Sequence, residues 1–159
     1  MRHTGNLRWL WLSFIIVILD QWTKFLVIKH LPLNDPYAVI PFFNLTLTFN
    51  TGTAFSFLSS ASGWQVWLLV GLAIMVCLLI LVWLGKISRH AHWLAASLAL
   101  IFGGALGNLI DRFHYGYVID FIDLHVKNWH YPTFNVADTA ICIGIIMLII
   151  SLYLHKSHN

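Results

Sequence analysis

The chain has 159 residues, 59% hydrophobic and 9% charged, with a net charge of +3. A mean hydropathy of +0.78 leaves too little polar surface to cover a water-soluble globule, so lipid is the solvent for most of the chain. The basic residues are few and scattered, which argues against nucleic acid as a partner. Cys77 and Cys142 stand inside apolar runs, which argues against a disulfide framework or a zinc site.

Four apolar runs, at about 7–28, 64–84, 93–112 and 138–155, are long enough to cross a bilayer. Backbone polar groups in lipid must be satisfied within the segment, so each run is predicted as a helix. The expected architecture is an all-α membrane protein, a single integral membrane domain over 1–159, with outer connections at about 29–63 and 113–137. The first run follows Arg2 and Arg8 as a signal peptide would, but it is too long and has no small-residue cleavage site. It carries Asp20 and Lys24, one helical turn apart on one face, a spacing that also suits a self-neutralising structural pair.

The first outer connection alternates apolar and polar residues from Asn44 to Asn50, breaks at Thr51-Gly52-Thr53, and alternates again from Ala54 to Leu58. Period-two alternation predicts strands, here a small sheet lying on the membrane surface with its apolar face to lipid or ligand, or an ordinary hairpin packed on helix ends. The third run contains Gly103-Gly104-Ala105-Leu106-Gly107, whose small-residue spacing predicts close helix packing. Gly104, Asn108 and Arg112 recur every fourth residue and share a face, a stripe that could line a groove. Asp111 beside Arg112 could instead be an interfacial charge pair.

Arg2, Arg8, Lys86, Arg89 and Lys156 all fall on one side of a four-span topology. The positive-inside rule makes that side cytoplasmic, with both termini inside and both long connections outside. The costly polar residues then converge at one depth. Asp20, Lys24, Asn108, Asp111, Arg112, Asn135 and Asp138 sit at the outer ends of helices, and Asn50 and Asp120 sit in the outer connections. All six acids are aspartates. Asp138 opens the fourth run, where an acid is costly unless it has a partner or a task, although the helix dipole alone would favour it there. His114, His125 and His130 lack ligand spacing, so no metal or other cofactor is expected. The metalloprotease His-Glu-x-x-His and the Gly-x-Ser-x-Gly elbow are absent. A transporter would need polar residues through the full bilayer depth and often an internal repeat, and the inner halves of these helices are nearly all apolar. A non-catalytic membrane scaffold would explain the small-residue packing but leaves the clustered outer acids without a purpose.

Asn50-Thr51-Gly52, the run Gly103 to Arg112, Val118-Ile119-Asp120-Phe121 and Phe134-Asn135-Val136-Ala137-Asp138 together resemble the ordered motifs of bacterial lipoprotein signal peptidases, signal peptidase II. Asp20 and Lys24 match the first-helix Asp-x-x-x-Lys of that family. The resemblance covers essentially the whole chain. It implies an aspartyl endopeptidase of the bacterial inner membrane that removes the signal peptide from diacylglyceryl-modified prolipoproteins, cutting before the lipidated cysteine. It implies Asp120 and Asp138 as the catalytic pair. Asn50, Gly52, Gly104, Asn108, Arg112, Asn135 and Ala137 then line the pocket or hold substrate, and Asp20, Lys24 and Asp111 are supporting polar residues. It further implies membrane lipids as neighbours and inhibition by cyclic peptides of the globomycin type. The chemistry is compatible with the residues: of two carboxylates sharing a site one keeps a proton, so the pair can supply both a general base and a general acid.

Overall fold

The structure is a computed structural model that describes residues 5–52 and 64–156, apart from the side chains of residues 155 and 156. The four apolar runs are α1 (Leu10–His30), α2 (Trp64–Lys86), α3 (His92–Tyr115) and α4 (Val136–Lys156), and a 3-10 turn at Leu7–Trp9 leads into α1. All four are long and apolar enough to cross a membrane. Between α1 and α2 lie β1 (Tyr37–Ile40) and β2 (Phe43–Asn50); between α3 and α4 lie β3 (Val118–Val126) and β4 (Trp129–His130). The strand expected at Ala54–Leu58 lies outside the described residues.

The helices are built inside out relative to a soluble bundle. In α1 the exposed side chains include Trp11, Phe14, Ile18, Trp22 and Phe25, whereas the buried ones are Ser13, Asp20, Lys24 and Val27. In lipid an outward apolar side chain costs nothing, so burial is reserved for groups that need protein partners. Helix α3 is the central one, packing against α1, α2 and α4. Its glycines permit that closeness. A methyl group at Gly104 would collide with the Ala137 carbonyl and lie 2.7 Å from Ile141 Cγ1, so the start of α4 rests directly on the α3 backbone.

Two clusters hold the ends of the bundle. Ile80, Leu84, Ile87, Ala95 and Leu98 join α2 to α3 at one end. Val27, Leu47, Ile119 and Phe121 join α1 to the sheet at the other.

The strands form one antiparallel sheet in the order β1-β2-β3-β4. Two strands come from the first connection: β2 is the one its alternation predicts, and β1 at Tyr37–Ile40 was not expected; two more come from the second connection, where no strand was expected. Val118-Ile119-Asp120-Phe121 does not alternate because it is buried on both faces, and a doubly buried strand carries no period-two signal. Asp120 therefore lies on a strand rather than in a loop, with Thr48 as its register partner. Gly116 makes the turn from α3 into β3. It adopts a left-handed φ of 77° and returns its N–H to the Arg112 carbonyl at 3.1 Å, ending the helix one residue before Tyr117 leads into the strand. Inside the sheet, Asp123 accepts from Asn44 Nδ2 at 3.1 Å, Thr46 Oγ1 at 3.0 Å and His130 Nδ1 at 2.8 Å. Its burial alone would raise its pKa, but these donors outweigh burial and hold it below the usual carboxylate range.

Candidate active site

Asp138 is placed by the local chemistry of a helix start. Asn135 precedes the first residue of α4, and its Oδ1 accepts the N–H of Asp138 at 2.8 Å. Asp138 Oδ2 reaches back to the N–H of Asn135 at 3.3 Å. This is a capping box with Asn and Asp in the roles of Ser and Glu. It satisfies two otherwise orphaned amides and holds the Asp138 carboxylate at the end of the helix. The other oxygen, Oδ1, receives Asn108 Nδ2 at 2.7 Å.

Asp120 is placed by the sheet. Asn50 lies two residues beyond Thr48 on β2, hence on the face of Asp120, and its Nδ2 donates to Asp120 Oδ2 at 3.0 Å. The Asn50 amide is oriented by its own turn, because its Oδ1 accepts the Gly52 N–H at 2.9 Å. Asp120 Oδ1 receives Asn135 Nδ2 at 2.7 Å. The start of α4 reaches this position because Phe134 pairs with Ile122, exchanging backbone hydrogen bonds of 2.8 and 3.1 Å.

Asn135 thus joins the two carboxylates, donating to Asp120 while capping the amide of Asp138. Asp120 is 1% exposed. Burial, the largest effect, pushes its pKa up to about 7; the Asn50 amide opposes this, the nearby Asp138 charge adds to it, and Asn135 and Lys24 oppose it. Burial thus favours the protonated form of Asp120.

Arg112 is half-buried, with its Nη1 3.4 Å from the Asn108 carbonyl one turn earlier. Among the described residues it forms no ion pair within 4 Å, although Asp138, Asp111 and Asp120 all act on it electrostatically. Pairing with Asp111, the reading open from sequence, is not what the fold contains, and Arg112 does not pair with Asp20 either. Both of those carboxylates bind Lys24, at 2.8 and 2.7 Å. Asn108, Arg112 and Asp138 lie at one end of a groove of about 390 Å³ between α2, α3 and α4. Its remaining wall is apolar and includes Leu69, Leu72, Val76, Ile101, Ile141 and Ile145. Gly104 and Ala137 meet behind this wall, and Gly52 bears on the site through Asn50.

Some participants carry no signal in the sequence. Gln21 donates to Asp20, to Asp111 and to the Gly107 carbonyl; Thr48 and Thr133 meet at 2.7 Å beneath β3. Neither Gln21 nor the threonines are charged or costly in their settings, so only three-dimensional proximity reveals them.

Residues 12–154 match the family profile described as Signal peptidase (SPase) II. A lipoprotein signal peptidase of Acinetobacter baylyi is 52% identical over 151 residues, 95% of this chain and 84% of that protein. One from Coxiella burnetii is 47% identical over 149 residues, 94% of this chain and 91% of that protein. A solved bacterial membrane enzyme superposes with a TM-score of 0.86 at 30% identity, covering 100% of this chain and 96% of that one. With two amide-held aspartates, one of them at the head of an apolar groove, and a profile match across nearly its full length, this chain belongs to the signal peptidase II family.

Proposed function

We infer that the chain is a membrane aspartyl endopeptidase that removes the signal peptide from diacylglyceryl-modified prolipoproteins, cleaving before the lipidated cysteine. Membership of the family supports the reaction. The observation that carries the site is the amide network itself, which directs asparagine side chains at the carboxylates of Asp120 and Asp138 from three elements. In this reading Asp120 holds the shared proton and Asp138 is the base. Asp138 takes a proton from water, the water oxygen attacks the scissile carbonyl, and Asp120 gives its proton to the carbonyl oxygen. Collapse of the tetrahedral species breaks the C–N bond: the proton on Asp138 passes to the leaving amine, and as the carbonyl re-forms a hydroxyl proton returns to Asp120. The forked Arg112 guanidinium and Asn108 hold substrate carbonyls, and the apolar wall takes an acyl chain or the signal-peptide segment.

The four helices make this a multi-pass membrane protein. We assign it to the inner membrane, termini cytoplasmic, site at the outer leaflet, on the basis of its lysine and arginine asymmetry. Exposed Tyr37, Ile40, Phe42, Trp129 and Tyr131 support a sheet seated against lipid. The same groove would accept a globomycin-type cyclic peptide in competition with substrate. The test is cleavage of a lipidated prolipoprotein by the purified chain in detergent. Asp120→Asn and Asp138→Asn should each abolish turnover with the fold intact. Near-normal turnover in either variant would sink the assignment of that residue.

A further inference from the structure

The structure contains a second buried cluster beside the two aspartates, and its contacts go beyond what bracing requires. Lys24 Nζ sits between Asp20 Oδ2 at 2.8 Å and Asp111 Oδ2 at 2.7 Å. Its third contact is Asn108 Oδ1 at 3.1 Å, so all three ammonium protons are used. That contact turns the Asn108 amide so that Nδ2 faces Asp138. Joining α1 to α3 would need only the lysine and one carboxylate. Each carboxylate has a further bond instead. Asp111 Oδ2 accepts the N–H of Ile119 at 3.1 Å, and Asp20 Oδ1 accepts the N–H of Ala137 at 2.9 Å. Ile119 immediately precedes Asp120, and Ala137 immediately precedes Asp138. Gln21 Nε2 bridges the two carboxylates, at 3.1 Å to Asp20 and 2.9 Å to Asp111. All four carboxylate oxygens have donors, and Asp20, Asp111 and Lys24 are at most 1% exposed.

We propose that Asp20, Lys24 and Asp111 are positioning residues for the reaction. Together they form one rigid splint that sets the separation of Asp120 and Asp138 by gripping the backbone one residue before each. This rests on the assignment of those two aspartates as the reacting pair. The splint matters because the two come from different elements, a strand and a helix start, which no covalent segment shorter than residues 121–137 connects. Asn135 and the Phe134–Ile122 pairing also tie strand to helix start, and the splint adds a grip on the backbone beside each aspartate. Catalysis by a pair that shares one water depends on that spacing, and a displacement of about 1 Å costs on the order of 10²-fold in rate.

The charge count makes the proposal testable. The cluster has two carboxylates and one ammonium, so removing either carboxylate leaves Lys24 with one carboxylate partner and no uncompensated buried cation. Asp20→Ala and Asp111→Ala should therefore fold. The experiment compares these with Asp20→Asn and Asp111→Asn, which keep an acceptor oxygen for the gripped amide. The full chain is purified in detergent, kcat and KM are measured on a diacylglyceryl-modified prolipoprotein, and melting is recorded in parallel. The expected result is a fall in kcat of about 10²-fold in each alanine variant with KM unchanged, and recovery of most of that loss in the asparagine variants. Unchanged kcat in folded alanine variants overturns the splint. So does activity that falls only in step with melting temperature, or asparagine variants no better than alanine. If the alanine variants do not fold, the asparagine variants decide: near-wild-type kcat upholds the splint, and lost kcat with retained melting overturns it. Asp120→Asn and Asp138→Asn run alongside. Turnover in either of these removes the dyad itself, whereas their inactivity beside an unaffected cluster variant removes only the splint.

Discussion

Asn135 shows how one side chain can serve structure and chemistry together. Its Oδ1 caps α4 and its Nδ2 donates to Asp120, so helix start and carboxylate orientation are one event. The raised pKa of Asp120 has a consequence for stability. Its folded value of about 7 exceeds the unfolded value near 3.8, so between them the folded state binds the extra proton. The stability contributed is full below the unfolded value and is lost as pH rises towards and through about 7. Melting in detergent should therefore decline from pH 5 to pH 8, and Asp120→Asn should flatten that decline. A variant with the wild-type slope would show that another group carries it. Arg112 makes a separate prediction. Because Lys24 takes both nearby structural carboxylates, Arg112 has no ion pair among the described residues, which suits the substrate contact proposed for it. Arg112→Lys keeps the charge but loses the planar fork. Turnover should fall by roughly tenfold or more, the loss of one charge-assisted hydrogen bond, with melting nearly unchanged. Equal loss of activity and melting would make Arg112 structural.

At the scale of elements, the seating of α4 on α3 decides where Asp138 stands. Gly104 contacts the Ala137 carbonyl, a backbone atom one residue before Asp138 that cannot swing away as a side-chain tip would. Gly104→Ala should push the start of α4 outward, destabilise the chain by about 1–3 kcal/mol and lower turnover more than Gly71→Ala, where a methyl group meets nothing within 4 Å. Denaturation in mixed micelles beside initial-rate assays measures both. Similar behaviour of the two variants would mean the helices separate without moving Asp138. Strand β3 shows the complementary case. Its Ile119 amide engages Asp111, its Asp120 faces Asn50, and its Asp123 collects donors from β2 and β4. One strand therefore ties the sheet to the helix ends.

For the whole molecule, the proposed orientation rests on where the strands and the site lie relative to the basic residues. The sheet and both carboxylates are at the C-terminal ends of α1 and α3 and the N-terminal end of α4, opposite Arg8, Lys86 and Arg89. Ser88→Cys should be labelled by a membrane-impermeant thiol reagent only after the cytoplasmic face is opened, and Asn128→Cys in intact spheroplasts. Labelling of Ser88→Cys in intact spheroplasts would invert the topology and bring the site to the cytoplasmic leaflet.

Hydropathy alone determined the four helices, because a spanning segment must be apolar over a fixed length whatever surrounds it. The helix period alone aligned Gly104, Asn108 and Arg112, and the expense of charge in lipid singled out Asp20, Lys24, Asp111 and Asp138. Alternation revealed β2, since one of its faces is less buried than the other. What only the tertiary structure decided is which of these residues touch. Lys24 is four residues from Asp20 but 87 from Asp111, and it binds both. The amides of Asn50, Asn108 and Asn135 donate to carboxylates on other elements, a pairing that no local spacing records. The first half of β3, Val118–Phe121, is buried on both faces and leaves no alternation to read. Local periodicity records which face of an element is wet or greasy; it does not record which distant donor will fill a buried acceptor, and that choice is made only when the helices and sheet close around it.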